Sequence, residues 1–440
     1  MSVEIDLNSL TNEHINYIKS HLHLQHKQGF ISAANPKIEK FFIEKEKTIL
    51  LPYLYGGGLM NIKPNNDKNF PNSNLEFNGK LREHQIKMSE DIINHLDKKG
   101  TTTLNLPCGT GKTILSVYAS CIKKLITLVL VPYTSLIEQW GKEYSTFTNA
   151  KVWMIDENKK KLPPILDANV IICYSHISRW EQIPEEMLNS VGMLIIDEGH
   201  DMCSTEKIRM LLGTQPRYII ICTATLNKYN GMEQMLYLMG GKHKIEIEEE
   251  KRKEFICIKF NTGIKPTGLK QTNQGLDWWS LVNFQEESEE RNLLAVKIIL
   301  NNPNKKIIIL CYKQDHPKKL CELVKNLTKK SCDYLCSKKK SYNDSDVLIG
   351  TIKKIGTGFD EKNACEDFKG VRSDLLIMMG TMKNESTIQQ NIGRVFRTDD
   401  IPEIFVLVDD HIVCKNHWRE IKKWALSKNG RIREISGMGY

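Results

Sequence analysis

The stretch "LNLPCGTGKTILSVYA", residues 104–119, has the order of parts of a phosphate-binding loop. An apolar run ends at Pro107, a loop with two glycines follows, and Lys112 and Thr113 open a segment with helical spacing. Glycines let backbone N–H groups approach a phosphate, and the start of a helix favours an anion. We therefore predict that Lys112 reaches the terminal phosphates of a nucleotide and that the Thr113 hydroxyl holds Mg²⁺.

The strict phosphate-loop pattern has another glycine five residues before Gly111, and Leu106 stands there instead. A short "GTGKT" can also arise by chance in an ordinary turn, so this assignment needs a second, independent motif. The residues predicted to surround the phosphates are Pro107, Cys108, Gly109, Thr110, Gly111, Lys112 and Thr113.

A second stretch, "MLIIDEGH" at residues 193–200, places two acids at the end of an apolar run. An ATPase with a phosphate loop needs a second strand whose end presents one acid to Mg²⁺ and another to the attacking water. Asp197 fits the first role and Glu198 the second, 85 residues after Lys112. Acids also cap helices, and a cap is the alternative for this pair. The phosphate loop upstream favours the ATPase interpretation.

Short apolar runs alternate with helical patterns from Lys80 onward. Such alternation is typical of a parallel sheet covered by helices on both faces. A charged stretch at residues 242–255 suits a domain boundary. We predict an α/β protein with an N-terminal accessory domain and linker at 1–78, one α/β domain at 79–250 and a second at 251–440. The runs that predict strands are "TTLNLP", "ITLVLVP", "VIICYS", "MLIIDE", "YIIICTAT", "KKIIILCY", "DVLIGT", "DLLIMMGT" and "EIFVLVDD".

The first 78 residues carry no phosphate-binding signal. An amphipathic stretch at residues 13–24 precedes "TILLPYLYGGGLM", which we interpret as a strand ending in three glycines. Residues 61–79 are rich in Asn, Pro and Lys, which indicates a linker.

The composition is that of a globular protein, with 40% hydrophobic and 26% charged residues. A net charge of +9 favours a polyanionic partner, although a lysine-rich solvated surface would give the same charge. Neither a signal peptide nor an apolar run of about 18 residues is present, so we expect a soluble intracellular protein without a membrane partner. The 12 cysteines stand in apolar contexts without Cys-x-x-Cys spacing, and we expect reduced, mostly buried thiols.

With both motifs in place, residues 81–397 resemble the superfamily 2 helicases and translocases, whose motifs occur here in the expected order. In the first half "LREHQ", "PCGTGKT", "VLVPYTSLIEQW", "VIICYSHIS", "DEGH" and "TAT" resemble the adenine-recognition element and motifs I, Ia, Ib, II and III. In the second half "KKIIILCYKQDH", "VLIGTIKKIGTGFD" and "QQNIGRVFR" resemble motifs IV, V and VI. The resemblance implies two tandem RecA-like domains that bind ATP between them.

Two further segments, "TATLNKYNGMEQMLYLMGG" and "ESEERNLLAVKIIL", resemble the XPB-like branch of the superfamily. The terminal regions resemble those of the poxvirus-type transcript-release DNA helicase and its relatives in other large DNA viruses. The resemblance implies a DExH-type motor that moves along nucleic acid, with DNA favoured over RNA, in viral transcription or DNA repair. It also implies RNA polymerase or other transcription factors as partners and, for a viral protein, a location in the virion or the host-cell cytoplasm. The sequence gives no oligomeric state.

The resemblance assigns a role to individual residues. Lys112, Asp197, Glu198, Gln390, Arg394 and Arg397 are implied in catalysis, and Thr113 and Asp197 in Mg²⁺ binding. Arg82, Gln85, Gly358 and Asp360 join the phosphate loop in binding ATP. His200, Thr223 and Thr225 couple the ATP state to movement. Pro132, Thr134, Ser135, Ser175 and Thr351 contact nucleic acid.

Arg394 and Arg397 are three residues apart, so on a helix they point the same way, towards the charge that develops on the γ-phosphate. An ordinary basic helix face is the alternative for this pair alone.

Three other functions stay open from the sequence. An RNA helicase would carry the same motifs. The motor subunit of a restriction-type nuclease would need a carboxylate–lysine nuclease site, and no convincing one is found outside the motor. A binding module that has lost hydrolysis is disfavoured because every chemical motif is intact.

Overall fold

The structure is a computed structural model that describes residues 1–25, 38–106, 110–155, 168–181, 183–223, 233–241, 243–246, 254–273, 275–336, 339, 341–355, 359 and 361–437. The chain divides into two compact units, Met1–Glu248 and Glu249–Tyr440. The division falls inside the charged stretch at residues 242–255. The predicted domain limits at 78/79 and 250/251 stay predictions.

The first unit contains strands and helices in alternation after a short N-terminal region. Its strands are β1 Ser2–Asp6, β2 His23–Gln25, β3 Ile38–Lys40, β4 Ile43–Glu44, β5 Thr48–Pro52, β6 Thr101–Asn105, β7 Thr127–Val131, β8 Val152–Ile155, β9 Val170–Tyr174, β10 Met193–Ile196, β11 Tyr218–Thr223 and β12 Lys244–Ile245. Its helices are α1 Asn12–His21, α2 Tyr53–Met60, α3 Glu83–Lys99, α4 Lys112–Lys123, α5 Thr134–Phe147, α6 Ile177–Trp180, α7 Glu185–Ser190, α8 Thr205–Leu212 and α9 Glu233–Gly240, with 3₁₀ turns at Leu7–Ser9 and Gly199–Met202.

The second unit repeats the alternation. Its strands are β13 Phe255–Asn261, β14 Gln271–Thr272, β15 Gly275–Leu276, β16 Ile307–Cys311, β17 Cys332–Leu335, β18 Val347–Thr351, β19 Leu375–Met378, β20 Glu403–Val408 and β21 Gly430–Ser436. Its helices are α10 Trp278–Glu287, α11 Glu289–Asn301, α12 His316–Leu327, α13 Ile352–Ile355, α14 Glu361–Ala364, α15 Glu385–Ile392 and α16 Ile412–Ser427, with a 3₁₀ turn at Val395–Arg397.

The main sheet of the first unit has the strand order β12-β6-β11-β10-β7-β9-β8, and its described pairings are all parallel. Successive side chains of a strand point to opposite faces, so a strand buried on both faces is typically a near-continuous apolar run. Strand β10 shows this, because Leu194 and Ile196 join one core cluster and Met193 and Ile195 join the other. The unbroken apolar run before Asp197 is therefore a central strand.

The main sheet of the second unit has the order β17-β18-β16-β19-β20-β13-β21, again with parallel pairings throughout the described residues. Strand β16 divides its side chains between two cores, Ile308 and Leu310 on one face and Ile307 and Ile309 on the other. The predicted α/β class and the two parallel sheets are confirmed, and every apolar run named from the sequence contains a strand. The two edge strands of this sheet, β17 and β21, and β13 beside β21 were not predicted.

The N-terminal region has a small antiparallel sheet of its own, with the order β1-β5-β4. Val3, Ile5 and Leu51 from this sheet belong to the same core cluster as Leu194 and Ile196 of the main sheet. The predicted small N-terminal region is therefore present and packs on one face of the first unit.

One expectation for this region is wrong. The strand predicted in "TILLPYLYGGGLM" ends at Pro52, and the three glycines lie inside helix α2 instead of ending the strand. A side chain at position 56 would meet Val3 and Leu51, so Gly56 allows the helix to pack closely on the small sheet. The packing of the helix outweighs the low helix propensity of glycine.

The linker predicted at residues 61–79 is irregular and is bound to the first unit. The amide of Asn65 donates to the carbonyl oxygens of Ser2 and Pro216, both at 2.9 Å. Single bridges join Asn72 to Leu125 and Phe77 to Thr148. None of the helices among the described residues is both long and apolar enough to cross a membrane.

Candidate functional site

Three neighbouring parallel strands bring the predicted ATP-site residues of the first unit to one edge of its sheet. Strand β11 lies between β6, which leads to the phosphate loop, and β10, which leads to the acids. Because parallel strands end at the same edge, the strand ends at Asn105, Ile196 and Thr223 lie side by side. Residues far apart in sequence therefore meet at this edge.

The phosphate loop leads directly into a helix. Gly111 has φ +97°, a left-handed conformation that favours glycine, and helix α4 begins at Lys112. The Lys112 ammonium donates to the carbonyl oxygen of Leu106 at 2.7 Å, so it points back to the residue that follows β6. The predicted phosphate-loop residues Pro107, Cys108 and Gly109 lie outside the described residues.

Gln85, predicted to recognise adenine, contacts the phosphate loop. Its Nε2 donates to the carbonyl oxygen of Thr110 at 3.4 Å, and its Oε1 accepts the backbone N–H of Arg82 at 3.0 Å. A side chain at position 111 would collide with the Gln85 amide, so Gly111 is needed for this close approach. The contacts link the start of α3 to the loop, and the adenine role stays a prediction.

The carboxylate of Asp197 is buried and held by two donors. Its Oδ2 accepts the indole N–H of Trp140 at 2.8 Å, and its Oδ1 accepts the backbone N–H of Glu198 at 3.0 Å. Burial, and then the charge of Glu198, raise the pKa of Asp197 to about 6.

A cation suits this site, because it would offset the cost of holding two acids together in a buried place. Each carboxylate oxygen has a second lone pair, so both donors can remain while Asp197 faces an ion or its waters. Thr113, the other predicted Mg²⁺ ligand, lies in the first turn of α4. The residues present therefore fit Mg²⁺.

Glu198 has a strained backbone. Its φ is +47° and its ψ is 54°, the left-handed region that side chains other than glycine rarely adopt. Such strain persists only where the surroundings fix it, and it is concentrated at functional sites. The conformation follows the end of β10 directly and leads into the 3₁₀ turn Gly199–Met202. Glu198 is the N-cap residue of this turn, but its side chain makes no capping hydrogen bond, so helix capping, the alternative from the sequence, does not explain the acid pair.

His200 lies between the acid pair and the end of strand β11. Its Nδ1 is 3.1 Å from the Thr223 hydroxyl oxygen and 3.4 Å from Oε2 of Glu198. The imidazole therefore contacts motif III and the predicted water-activating acid through one ring edge. Thr225, the other predicted coupling residue, lies outside the described residues.

The predicted catalytic residues of the second unit occupy different environments. Gln390 lies on α15, which ends at Ile392, so Arg394 and Arg397 are not on one α-helix as expected. Arg394 is buried, and its Nη1 donates to the carbonyl oxygen of Phe359 at 2.7 Å. Arg397 ends the 3₁₀ turn and is half-buried. Gly358 and Asp360, on either side of Phe359, lie outside the described residues.

The predicted nucleic-acid residues differ in exposure. The side chain of Thr134, at the start of α5, is exposed, whereas Pro132 is buried. Ser175 and Thr351 are buried, and within the described part of the chain their hydroxyls have no hydrogen-bond partner. The side chain of Ser135 is not among those described. At Ser175 and Thr351 we therefore expect backbone groups rather than hydroxyls to face a ligand.

Sequence reasoning missed the role of Trp140 beside Asp197. A buried indole N–H usually finds an acceptor, so a tryptophan at the end of motif Ia was a usable signal. Its acceptor could not be named, because Trp140 and Asp197 are 57 residues apart.

Sequence reasoning also missed a buried polar network in the second unit. Arg291 Nε donates to Oδ1 of Asp409 at 2.8 Å, and both side chains are fully buried. Gln285 and Thr262 donate to the same carboxylate. Nearby, Glu286 lies close to Cys311 and His316. The Glu286 carboxylate accepts the backbone N–H groups of residues 312 and 313, which identifies it as a structural brace for motif IV.

Comparisons with known proteins show what this chain is similar to. Residues 78–228 match the family model described as "Type III restriction enzyme, res subunit". The chain is 29% identical to 161L of Invertebrate iridescent virus 6, named as a helicase, over 82% of this chain and 84% of that protein. It is 22% identical to the transcript termination protein A18 of Yaba-like disease virus, over 76% and 74% of the two chains. Among solved structures, a variant of S. cerevisiae Dbp5 bound to RNA and ADP BeF3 matches with a TM-score of 0.56 at 13% identity, over 80% of this chain and 90% of that one. The last match shows the fold alone.

Proposed function

We propose that the chain is an ATP-driven motor that moves along nucleic acid, because its motifs resemble those of superfamily 2 helicases and it is similar to a viral protein named as a helicase. One observation carries the proposal: the phosphate loop and the strained Asp197–Glu198 turn stand at the same edge of one parallel sheet. We further propose DNA as the preferred track, which the likeness of motif III and the "ESEERN" segment to the XPB-like branch supports.

The first unit is proposed to bind and activate the reactants. Lys112 leaves the Leu106 carbonyl and neutralises the terminal phosphates, while Thr113 and Asp197 would hold Mg²⁺. When bound, Mg²⁺ supplies positive charge to the phosphate oxygens. Glu198 orients the attacking water and accepts its proton, with its carboxylate fixed by the turn and by His200.

The second unit is proposed to contribute Gln390 and Arg397. A guanidinium stabilises the charge that develops on the transferring phosphoryl group. Of the two arginines predicted for this role, Arg397 is the better candidate, because the buried Arg394 donates to the carbonyl oxygen of Phe359 in motif V. We assign Arg394 to positioning motif V.

His200 and Thr223 are proposed to couple the ATP state to movement on nucleic acid. Their contact joins the acid turn to the end of β11. If a change at the γ-phosphate moves Glu198, His200 would therefore move with it and shift Thr223 of motif III. Contacts of such a motor with the nucleic-acid backbone are expected to be independent of sequence and sensitive to salt.

A role in viral transcription is proposed from the relative named as a transcript termination protein. That role would make RNA polymerase a partner and the virion or host-cell cytoplasm the place of action. This role in viral transcription is more specific than the motor activity and depends on it.

The test is phosphate release measured in parallel with single-stranded DNA, duplex DNA and RNA. We expect ATP hydrolysis to rise on addition of nucleic acid, and more with DNA than with RNA. Stronger stimulation by RNA would support the RNA-helicase alternative. Hydrolysis that no nucleic acid changes would contradict a motor function.

A further inference from the structure

A short hairpin follows the first strand of the second unit, and the motifs discussed above do not include it. Strands β14 and β15 pair antiparallel, with Gln271 opposite Leu276 and Thr272 opposite Gly275. The Thr272 hydroxyl donates to the carbonyl oxygen of Gly275 at 2.9 Å. The two short strands of the hairpin are therefore held together by backbone pairing and by this side-chain bond.

The hairpin stands at the edge of the sheet where the predicted nucleic-acid motifs are. Strand β13, which precedes it, runs parallel to the other strands of the sheet, so its end at Asn261 shares an edge with Thr351 of motif V. The ring of Trp278, just after the hairpin, meets Tyr312 of motif IV edge-on, with ring centroids 5.8 Å apart. The position suits a strand of nucleic acid that passes motifs IV and V.

Trp279 is an exposed aromatic side chain on a fixed backbone. Its side chain is 57% exposed, the most exposed tryptophan among the described residues. Its backbone N–H donates to Oδ1 of Asp277, the cap of helix α10, at 3.2 Å. The Asp277 N–H donates in turn to the carbonyl oxygen of Lys270 at 2.9 Å. The backbone that carries Trp279 is therefore fixed by hydrogen bonds, and its exposed ring is available for stacking.

The charges around Trp279 fit a polyanion. Residues 262–276 include Lys265 and Lys270, both exposed, and no acid. Neither lysine has an ion pair among the described residues, whereas the nearby acids Glu287 and Asp410 pair with Lys313 and Lys415. Residues 262–276 therefore carry two positive charges and no negative charge, and Asp277, the cap of α10, follows directly after them.

A shallow depression of about 360 Å³ lies beside the hairpin, and Lys270, Asn283, Phe284 and Glu287 are in its lining, with the Glu287 carboxylate paired to Lys313. An amide, an ammonium and an aromatic edge suit a nucleobase and its phosphate. The depression gives a neighbouring base a place beside the exposed ring.

From these observations we propose that the hairpin and Trp279 bind a single strand of nucleic acid, with one base stacked on Trp279 and phosphates near Lys265 and Lys270. Base stacking on an aromatic ring tolerates any sequence, which suits a motor. The proposal deepens the proposed function and rests on it.

The test compares two fluorescent probes, an oligothymidylate of about 20 nucleotides and a sugar–phosphate strand of equal length without bases. We expect Trp279→Ala to weaken binding of the oligothymidylate by about tenfold and to leave binding of the baseless strand unchanged. Trp279→Phe keeps an aromatic face and should restore most of the affinity. Leu293→Ala, which truncates a side chain that is 50% exposed on α11, is the matched control and should change neither probe.

The lysines give an independent signature. Lys270→Gln and Lys265→Gln should each weaken the binding of both probes. Each should also lower the steepness of log affinity against log salt by about one. Equal oligothymidylate binding by Trp279→Ala and the wild type, with thermal melting unchanged, would overturn the proposal. A wild-type chain that neither binds the oligothymidylate nor hydrolyses ATP faster in its presence would instead contradict the motor function.

Discussion

The indole N–H of Trp140 donates a hydrogen bond of 2.8 Å to Oδ2 of Asp197, and both side chains are buried. The bond orients the carboxylate that we propose as a Mg²⁺ ligand, so Trp140 is a positioning residue. Trp140→Phe keeps an aromatic ring but removes the donor. Mutation of a residue that hydrogen-bonds to a metal ligand typically lowers metal affinity by about 10-fold or more.

We therefore expect Trp140→Phe to raise the Mg²⁺ concentration for half-maximal ATP hydrolysis by about tenfold. The matched control is Tyr144→Phe, one turn along the same helix, which removes a hydroxyl bonded to Ser120 and leaves Asp197 untouched. A purely structural role would lower the rate of both variants without shifting the Mg²⁺ dependence. An unshifted Mg²⁺ dependence in Trp140→Phe would refute the positioning role.

The His200–Thr223 contact predicts a separation of hydrolysis from movement. Thr223→Val removes the hydroxyl at nearly constant volume and breaks the 3.1 Å contact. We expect ATP hydrolysis without nucleic acid to persist while stimulation by nucleic acid falls by about tenfold, a loss of about 1.4 kcal/mol of coupling. Phosphate release with and without single-stranded DNA measures the ratio. If stimulation in Thr223→Val equals that of the wild type, the coupling role of the pair is wrong.

Arg394 and Arg397 should respond differently to the same substitution. Arg394→Ala removes the charged donor to the carbonyl oxygen of Phe359, and such a hydrogen bond typically stabilises a protein by about 1.5–3 kcal/mol. We therefore expect the melting temperature to fall by about 5 °C. Arg397→Ala should keep its melting temperature and its ATP affinity but lose most turnover. Differential scanning fluorimetry and nucleotide binding with a fluorescent ATP analogue separate the two outcomes. Normal turnover in Arg397→Ala would remove it from the catalytic set.

The buried Arg291–Asp409 pair predicts a local loss of stability. Arg291→Met leaves the Asp409 charge buried and unpaired, which typically costs about 3–5 kcal/mol. Hydrogen exchange of peptides covering β13 and β20 reports this loss within the second unit. Lys319→Met breaks the exposed Lys319–Asp315 pair instead and should cost less than about 1 kcal/mol. Similar hydrogen-exchange rates of these peptides in the two variants would show that the buried pair does not stabilise the second unit.

The sequence predicts those parts of this protein that local patterns determine. The apolar runs locate strands because a parallel strand is buried on both faces, and the start of α4 at Lys112 follows from the glycine loop before it. Helix α2 was missed because the packing of Gly56 against Val3 and Leu51 is a tertiary effect. The partners of Asp197 and Arg394 were missed for the same reason, since each lies on a distant segment.

The central claim is that the Asp197–Glu198 turn and the phosphate loop form one ATP-hydrolysing site. The most direct measurement is phosphate release by Glu198→Gln, with Lys112→Ala beside it, in the presence of single-stranded DNA. We expect Glu198→Gln to bind a fluorescent ATP analogue, to keep the wild-type melting temperature and to lose nearly all hydrolysis, and Lys112→Ala to lose hydrolysis as well. Near-wild-type phosphate release by either variant would contradict the claim.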